Sequence, residues 1–306
     1  MASGVLRRLG GMIAVMFCVA TVVFTIAHVI PGDPAAVMLG PSASAADVAR
    51  LRSALGLDAP LPVQYWRFLG DALRFDLGQS LFLNQSVAAA LAARAPVTLQ
   101  LTLLAAALAT CIGVPVGVLS AVRSGSVLDQ AVTAVAMAAA SLPSFWIGLT
   151  LIEYLSVRLS LFPVAGYDGT VRSLVLPAIA VGLPNLALIL RFTRTSMLDV
   201  LQQDYIRTAR AKGLPPVSVI MKHAFGNART SVLTVVGLTV ASLIGGAIVT
   251  ETVFGLPGVG NLIVSAVLRR DYPVIEGALL VISGLYVLIN LGIDFIYLAL
   301  DPRLRV

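Results

Sequence analysis

Apolar runs of about 20 residues, the length that carries a helix across the hydrocarbon core, recur along the chain. They predict six spans: Leu9–Ile30, Pro96–Ala121, Leu128–Val157, Leu174–Phe192, Thr230–Thr250 and Glu276–Leu300. Glycines and prolines interrupt several of them, among them Gly113, Pro115, Gly117, Pro143, Pro177 and Pro184. Spans tolerate these residues because neighbouring helices satisfy the freed backbone groups. Runs such as Ala105-Ala106-Ala107 and Ala138-Ala139-Ala140 suit close helix packing. The first run is too long for a signal-peptide core and lacks a small-x-small cleavage site, so it reads as a retained span.

Two long polar stretches lie between the spans. From Pro31 to Ala95, Pro31-Gly32-Asp33-Pro34 ends the first span, because proline cannot continue a helix. Ser44–Leu55 predicts a helix with Ser44 as N-cap, Asp47 near its positive end and Gly56 as its stop. After the turn Asp58-Ala-Pro60-Leu-Pro62, Val63–Leu73 predicts a second helix with Tyr65, Trp66, Phe68 and Leu69 as its apolar residues. The residues leave two readings open, a lid over the spans or a docking surface for a soluble partner. The second stretch, Arg194–Arg229, predicts two short helices at an angle. Val200–Lys212 is the first, Gly213 its stop, and Pro215 or Pro216 opens the second.

Basic residues orient the spans. With the N-terminus inside, eleven of the 21 fall in cytoplasmic segments: Arg7, Arg8, Arg123, Arg194, Arg207, Arg210, Lys212, Lys222, Arg229, Arg303 and Arg305. The short outer loops hold Arg158, Arg172, Arg269 and Arg270. The long outer loop holds five, but long loops translocate largely regardless of charge. Six spans with both termini cytoplasmic is the expectation.

Composition agrees. The chain's 306 residues are 58% hydrophobic and 12% charged, too little charge for an ordinary soluble surface. The net charge of +6 follows the positive-inside rule. No basic stripe interleaved with aromatic residues points to nucleic acid. Cys18 and Cys111 sit in apolar runs and read as small buried hydrophobes, not as a disulfide or zinc site. His28 and His223 fall on opposite sides of the expected topology, so no shared metal site is expected. The only lysines, Lys212 and Lys222, follow no phosphate-cradling glycine loop, so the chain is not expected to hydrolyse ATP. No Ser/His, Asp/Asp or HExxH constellation points to an enzyme. Glu153 and Glu251 are expected near the outer ends of spans three and five; Asp294, beside Asn290, lies deeper as inter-helix glue or a latch.

The 204–213 segment carries a resemblance. Asp204, Tyr205, Ile206, Arg207, Thr208, Ala209, Arg210, Ala211, Lys212 and Gly213 match throughout the Asp-Tyr-(Ile/Val)-Arg-Thr-Ala-Arg-Ala-Lys-Gly motif of peptide permeases. The broader Glu-Ala-Ala-x3-Gly form is matched only at Ala209 and Gly213. Lys222-His223-Ala224 and Asn227-Ala228 continue the match, with Phe225 and Gly226 in place of the usual Leu and Arg. Leu55-Gly56-Leu57-Asp58, Gln64-Tyr65, Asp76-Leu77-Gly78, the 251–258 segment, Arg270-Asp-Tyr-Pro273 and Asp301-Pro302 extend it along nearly the whole chain. The sequence resembles the permease subunits of bacterial ABC importers for dipeptides, oligopeptides, glutathione and nickel.

The resemblance implies an all-α integral membrane protein with the type I ABC importer permease fold. It implies a first transmembrane helix (1–30), an extracytoplasmic helical loop (31–93), a permease core of five spans (94–301) and a cytoplasmic tail (302–306). The implied function is the permease subunit of an ATP-driven importer of small peptides, glutathione within that class, in the bacterial inner membrane. Its implied partners are a second, homologous permease in a heterodimer, two ATPase subunits, an extracytoplasmic substrate-binding protein and membrane lipid. The chain itself carries no cofactor; ATP and Mg are bound by the partner ATPases. Residues 204–213 would be the ATPase-coupling loop. The alternative from the residues is a self-contained secondary transporter of small solutes. The sequence shows neither an acid–His proton relay nor paired Gly/Pro-broken helices of an inverted repeat.

Overall fold

The structure is a computed structural model, and it describes residues 2–29, 33–40 and 42–300; the side chains of 2–9, Ala27 and 294–300 are outside the description. The described residues are helical, with one isolated antiparallel bridge between Gln79 and Ser86. Among the described residues, four helices are long and apolar enough to cross a membrane: Val87–Val122, Arg172–Leu201, Pro216–Val253 and Tyr272–Ile293. A bent pair, Val127–Ser141 with Ser144–Arg158, makes a fifth crossing if it is one span. The helix of the first predicted span, α1 (Ala2–Val29), has an apolar described part over Gly10–Ile26. This is a multi-pass membrane protein.

The chain divides into two compact units. The first comprises Met1–Val97 and Pro257–Val287. After α1 come α2 (Pro34–Leu39), α3 (Ala45–Ala54) and α4 (Leu61–Leu73). Asp33 caps α2 through the Ala35 N–H at 3.0 Å, and Ser44 caps α3 through the Asp47 N–H at 3.2 Å, the expected N-cap chemistry. Gly56, at φ +68°, closes α3 with Leu57 N–H to Arg52 O and Gly56 N–H to Ser53 O, both at 3.0 Å. That pairing is the Schellman stop, which needs a residue that tolerates positive φ.

One side of α4 packs on α1. Tyr65 meets Thr21 at 2.6 Å and the edge of Phe24 at 5.2 Å, and Phe68 lies 5.6 Å from Phe24 between ring centres. Trp66 projects outward, 68% exposed. The predicted apolar residues of this helix are therefore sorted onto two faces. Further on, Asp271 is buried and accepts hydrogen bonds from the Ser80 hydroxyl and, at 3.1 Å, the Leu81 N–H. That contact joins residues 80–81, just after Asp76-Leu77-Gly78, to the Arg270-Asp-Tyr-Pro273 segment.

The second unit comprises Thr98–Leu256 and Leu288–Val306. Its helices are α5 (Val87–Val122, which begins in the first unit), α6 (Val127–Ser141), α7 (Ser144–Leu151), α8 (Arg172–Leu201), α9 (Asp204–Ala211), α10 (Pro216–Ser218) and α11 (Gly226–Val253). Two elements follow Pro257: α12 (Val259–Arg269), which has no counterpart among the predicted elements, and α13 (Tyr272–Leu300). The apolar window of α8 is 61% buried, against 39% for those of α5 and α11, so α8 is the central helix despite Pro177 and Pro184 inside it.

Four expectations are corrected. The third predicted span is not one straight helix. It bends by 100° between α6 and α7, because Pro143 forces Leu142 into the extended region (φ −90°, ψ 132°), and it ends in a wide π-type turn over Ile152–Arg158. The expected helix Val200–Lys212 is two helices: α8 runs to Leu201, and Gln203, extended at φ −71° and ψ 147°, starts α9 afresh. The expected second short helix is not separate, since Pro216 opens a continuous helical path through a π-type stretch, Val219–Phe225, into α11. Cys18 and Cys111 are also exposed on their helices instead of buried.

Candidate functional site

The helix α9 owes its position to a two-residue stripe. Ile206 is fully buried and Ala209 nearly so, and residues three apart share a helix face. Both enter an apolar cluster with Ala121 of α5, Met197 of α8, Val219, Ala224 and Ala228. The opposite face is open: Asp204, Tyr205, Arg207, Thr208, Arg210, Ala211 and Lys212 are all exposed. The helix ends where expected. Gly213 sits at φ +73°, with Gly213 N–H to Arg210 O at 2.9 Å and Leu214 N–H to Ala209 O at 3.4 Å. Gly213 is thus a left-handed stop.

The ten residues from Asp204 to Gly213 therefore form one short element with a greasy underside and a cationic upper side. Arg207 reaches Asp204 at 3.5 Å, but both are largely exposed, and such a pair contributes little. Arg210 and Lys212 add positive charge at the helix end, where the dipole favours it. Phe225, one of the two departures from the peptide-permease pattern, packs against the same apolar cluster. Gly226 faces open space. Neither departure disturbs the seat of α9.

A second polar centre lies in the same unit. Asp129, in the first turn of α6, is buried. Its carboxylate accepts from Arg194 Nε at 2.7 Å and Nη2 at 2.8 Å, from Gly125 N–H at 2.9 Å and from the Ser120 hydroxyl. Sequence reading misses this centre. The local signal is Ser126-Val-Leu-Asp129, a capping pattern, in which Ser126 accepts from the Asp129 N–H at 3.2 Å.

The three acids singled out in or at the ends of the predicted spans, Glu153, Glu251 and Asp294, have different settings. Glu153 is exposed and pairs with Arg158 at 2.9 Å. Glu251 has no exposure at all and accepts from Thr98 Oγ1 at 2.6 Å, a helix-to-helix tie at the end of α11. Asp294 falls among the residues whose side chains are not described, as do Arg7 and Arg8; Pro31-Gly32, Asp301-Pro302, Arg303 and Arg305 lie outside the described residues altogether.

In the first unit, a cleft of about 340 Å³ is lined by Phe24, His28, Gln64, Phe68, Tyr272 and Glu276, among others. It sits beside the α3–α4 segment. His28 and Gln64 meet across it at 3.1 Å.

Two family profiles cover this architecture. Residues 1–102 match the N-terminal part of the binding-protein-dependent transport system membrane component, and residues 113–306 match its inner membrane component. The chain is 44% identical over 308 residues, 98% of each chain, to a probable peptide ABC transporter permease protein of Sinorhizobium fredii. It is 40% identical over 305 residues to the glutathione transport system permease protein GsiC of Escherichia coli K12, covering 100% of this chain and 99% of the relative. A chain of the inward-facing MetNI methionine ABC transporter superposes with a TM-score of 0.60 at 21% identity, over 69% of this chain and 96% of that one, which gives the type I importer permease fold. From the profiles and the full-length relatives together, the chain belongs to the binding-protein-dependent transport system inner membrane component family, the permeases of ABC transporters.

Proposed function

We propose that this chain is the permease subunit of an ATP-driven importer of small peptides, with glutathione inside that substrate class, and that residues 204–213 couple it to an ATPase. The observation that carries the reading is the division of α9 into a buried Ile206–Ala209 stripe and an exposed cationic face. The stripe fixes α9 to α5 and α8, so a force applied to its exposed side reaches the spans. The permeases named for peptide and glutathione transport match this chain from end to end. Two ATPase subunits, carrying ATP and Mg, would dock on this side. A second, homologous permease would complete a heterodimeric path, and an extracytoplasmic binding protein would deliver the peptide.

The positive-inside rule supports placing 202–215 and both termini in the cytoplasm. The chain then reads as a first span (1–30), an extracytoplasmic helical loop (31–93), a core of five spans (94–301) and a short cytoplasmic tail (302–306), in a bacterial inner membrane. ATP-driven closure of the ATPases would bias the spans between inward-open and outward-open states.

A cysteine at position 211 tests the docking surface. In a background with Cys18 and Cys111 replaced by alanine, Ala211→Cys should cross-link to the copurifying ATPase, and Asp168→Cys, in the loop before α8, should not. Cross-linking from position 168 but not from 211 would overturn the reading.

A further inference from the structure

We propose that Asp129 and Arg194 are positioning residues that make α5, α6 and α8 move together when α9 is displaced. The inference rests on the coupling reading of α9. Asp129 gathers four donors from three places: Ser120 on α5, Gly125 in the α5–α6 turn, and two nitrogens of Arg194 on α8. Every strong acceptor direction of the carboxylate is used, and the Arg194 fork fixes the angle between its helix and α6. The Asp129 side chain is 4% exposed and that of Arg194 26%.

Stability alone explains the pair poorly. A buried ion pair loses in desolvation much of what it gains in attraction, and apolar residues of similar size are often as stable. What such a pair supplies is a fixed register. Its neighbours show which register matters. Ala121 follows Ser120 on α5, and Met197 lies three residues after Arg194 on the same helix face. Both belong to the cluster that seats Ile206 and Ala209. The cluster therefore receives α9 on the two helices that Asp129 ties to α6, α8 through Arg194 and α5 through Ser120. Without the clamp, a push on α9 would shift α5 and α8 while α6 slips.

The test uses the complete transporter with its binding protein and peptide in vesicles, comparing Asp129→Asn and Arg194→Lys with the parent. Three quantities are read per assembled complex: the cross-link from Ala211→Cys to the ATPase, ATP hydrolysed, and peptide moved. Both variants should keep the cross-link and basal hydrolysis while peptide moved per ATP falls by about tenfold. The double variant Asp129→Asn/Arg194→Lys should be no worse than either single one, because the two residues act as a unit. Unchanged peptide per ATP with an intact cross-link would overturn this proposal alone. Loss of transport only in proportion to lost complex, or failure of all variants to reach the membrane, would equally overturn it, in favour of a structural role. A missing cross-link from Ala211→Cys in the otherwise unchanged transporter would instead bring down the α9 reading, and this one with it.

Discussion

A Cβ placed on Gly117 would lie 2.8 Å from the Thr193 Cβ and 2.7 Å from the Leu190 carbonyl oxygen. No side chain fits there without moving backbone. One turn away, a Cβ on Gly113 would meet the Leu186 carbonyl oxygen and Ile189 at 3.1 Å. The Gly113-x3-Gly117 pattern thus lets α5 lie directly on the central helix α8, where dispersion between close backbones is a main source of helix association in lipid. Gly117→Leu should destabilise the protein by about 1–3 kcal/mol or prevent packing altogether, while Gly113→Ala should do less. Thermal unfolding in detergent checks the order of the two; equal stability of Gly117→Leu and the parent would contradict the contact.

Asp271 holds the Ser80 hydroxyl and the Leu81 N–H in a buried setting. Asp271→Ala strands both donors, at a cost of about 1–3 kcal/mol. The effect should be local, so amide exchange over residues 78–86 should speed up most. Ser80→Ala should show a smaller change, since it leaves the Leu81 bond in place.

At Gly213 the backbone sits at φ +73° with open space around the missing Cβ. The cost of Gly213→Ala is therefore conformational, about 1 kcal/mol, and not a clash. Amides at 213 and 214 should exchange faster with the spans unaffected. Gly213→Pro also removes the N–H bonded to Arg210 O and should abolish coupled transport.

Arg207 and Arg210 are exposed, so reversing them should leave folding within about 0.5 kcal/mol of the parent. Arg207→Glu/Arg210→Glu should nonetheless remove stimulation of ATP hydrolysis by loaded binding protein. Normal stimulation with normal membrane levels would count against an ATPase-docking face.

What the sequence discloses follows the range of the interactions involved. The ends of α3 are legible because Ser44 and Gly56 act on backbone within three residues. Gly213 is legible for the same reason. The break at Leu142–Pro143 is hidden because both arms are apolar and prolines elsewhere, as in α8, lie inside one continuous helix. The exposure of Cys18 and Cys111 is hidden because hydropathy does not distinguish a lipid-facing position from a buried one. Asp129 and Arg194 are 65 residues apart, and no local rule pairs them. The 204–213 motif is legible as a motif, yet its division into a seated and an open face emerges only once Ile206 meets α5 and α8.

Uptake by the assembled transporter tests the central claim most directly. Vesicles holding this chain with the proposed second permease and ATPases, supplied with peptide-loaded binding protein, should take up peptide only when ATP is present on the side facing residues 204–213. An ion gradient without ATP should drive nothing. Peptide uptake by this chain alone on an ion gradient would contradict the account and establish a self-contained secondary transporter.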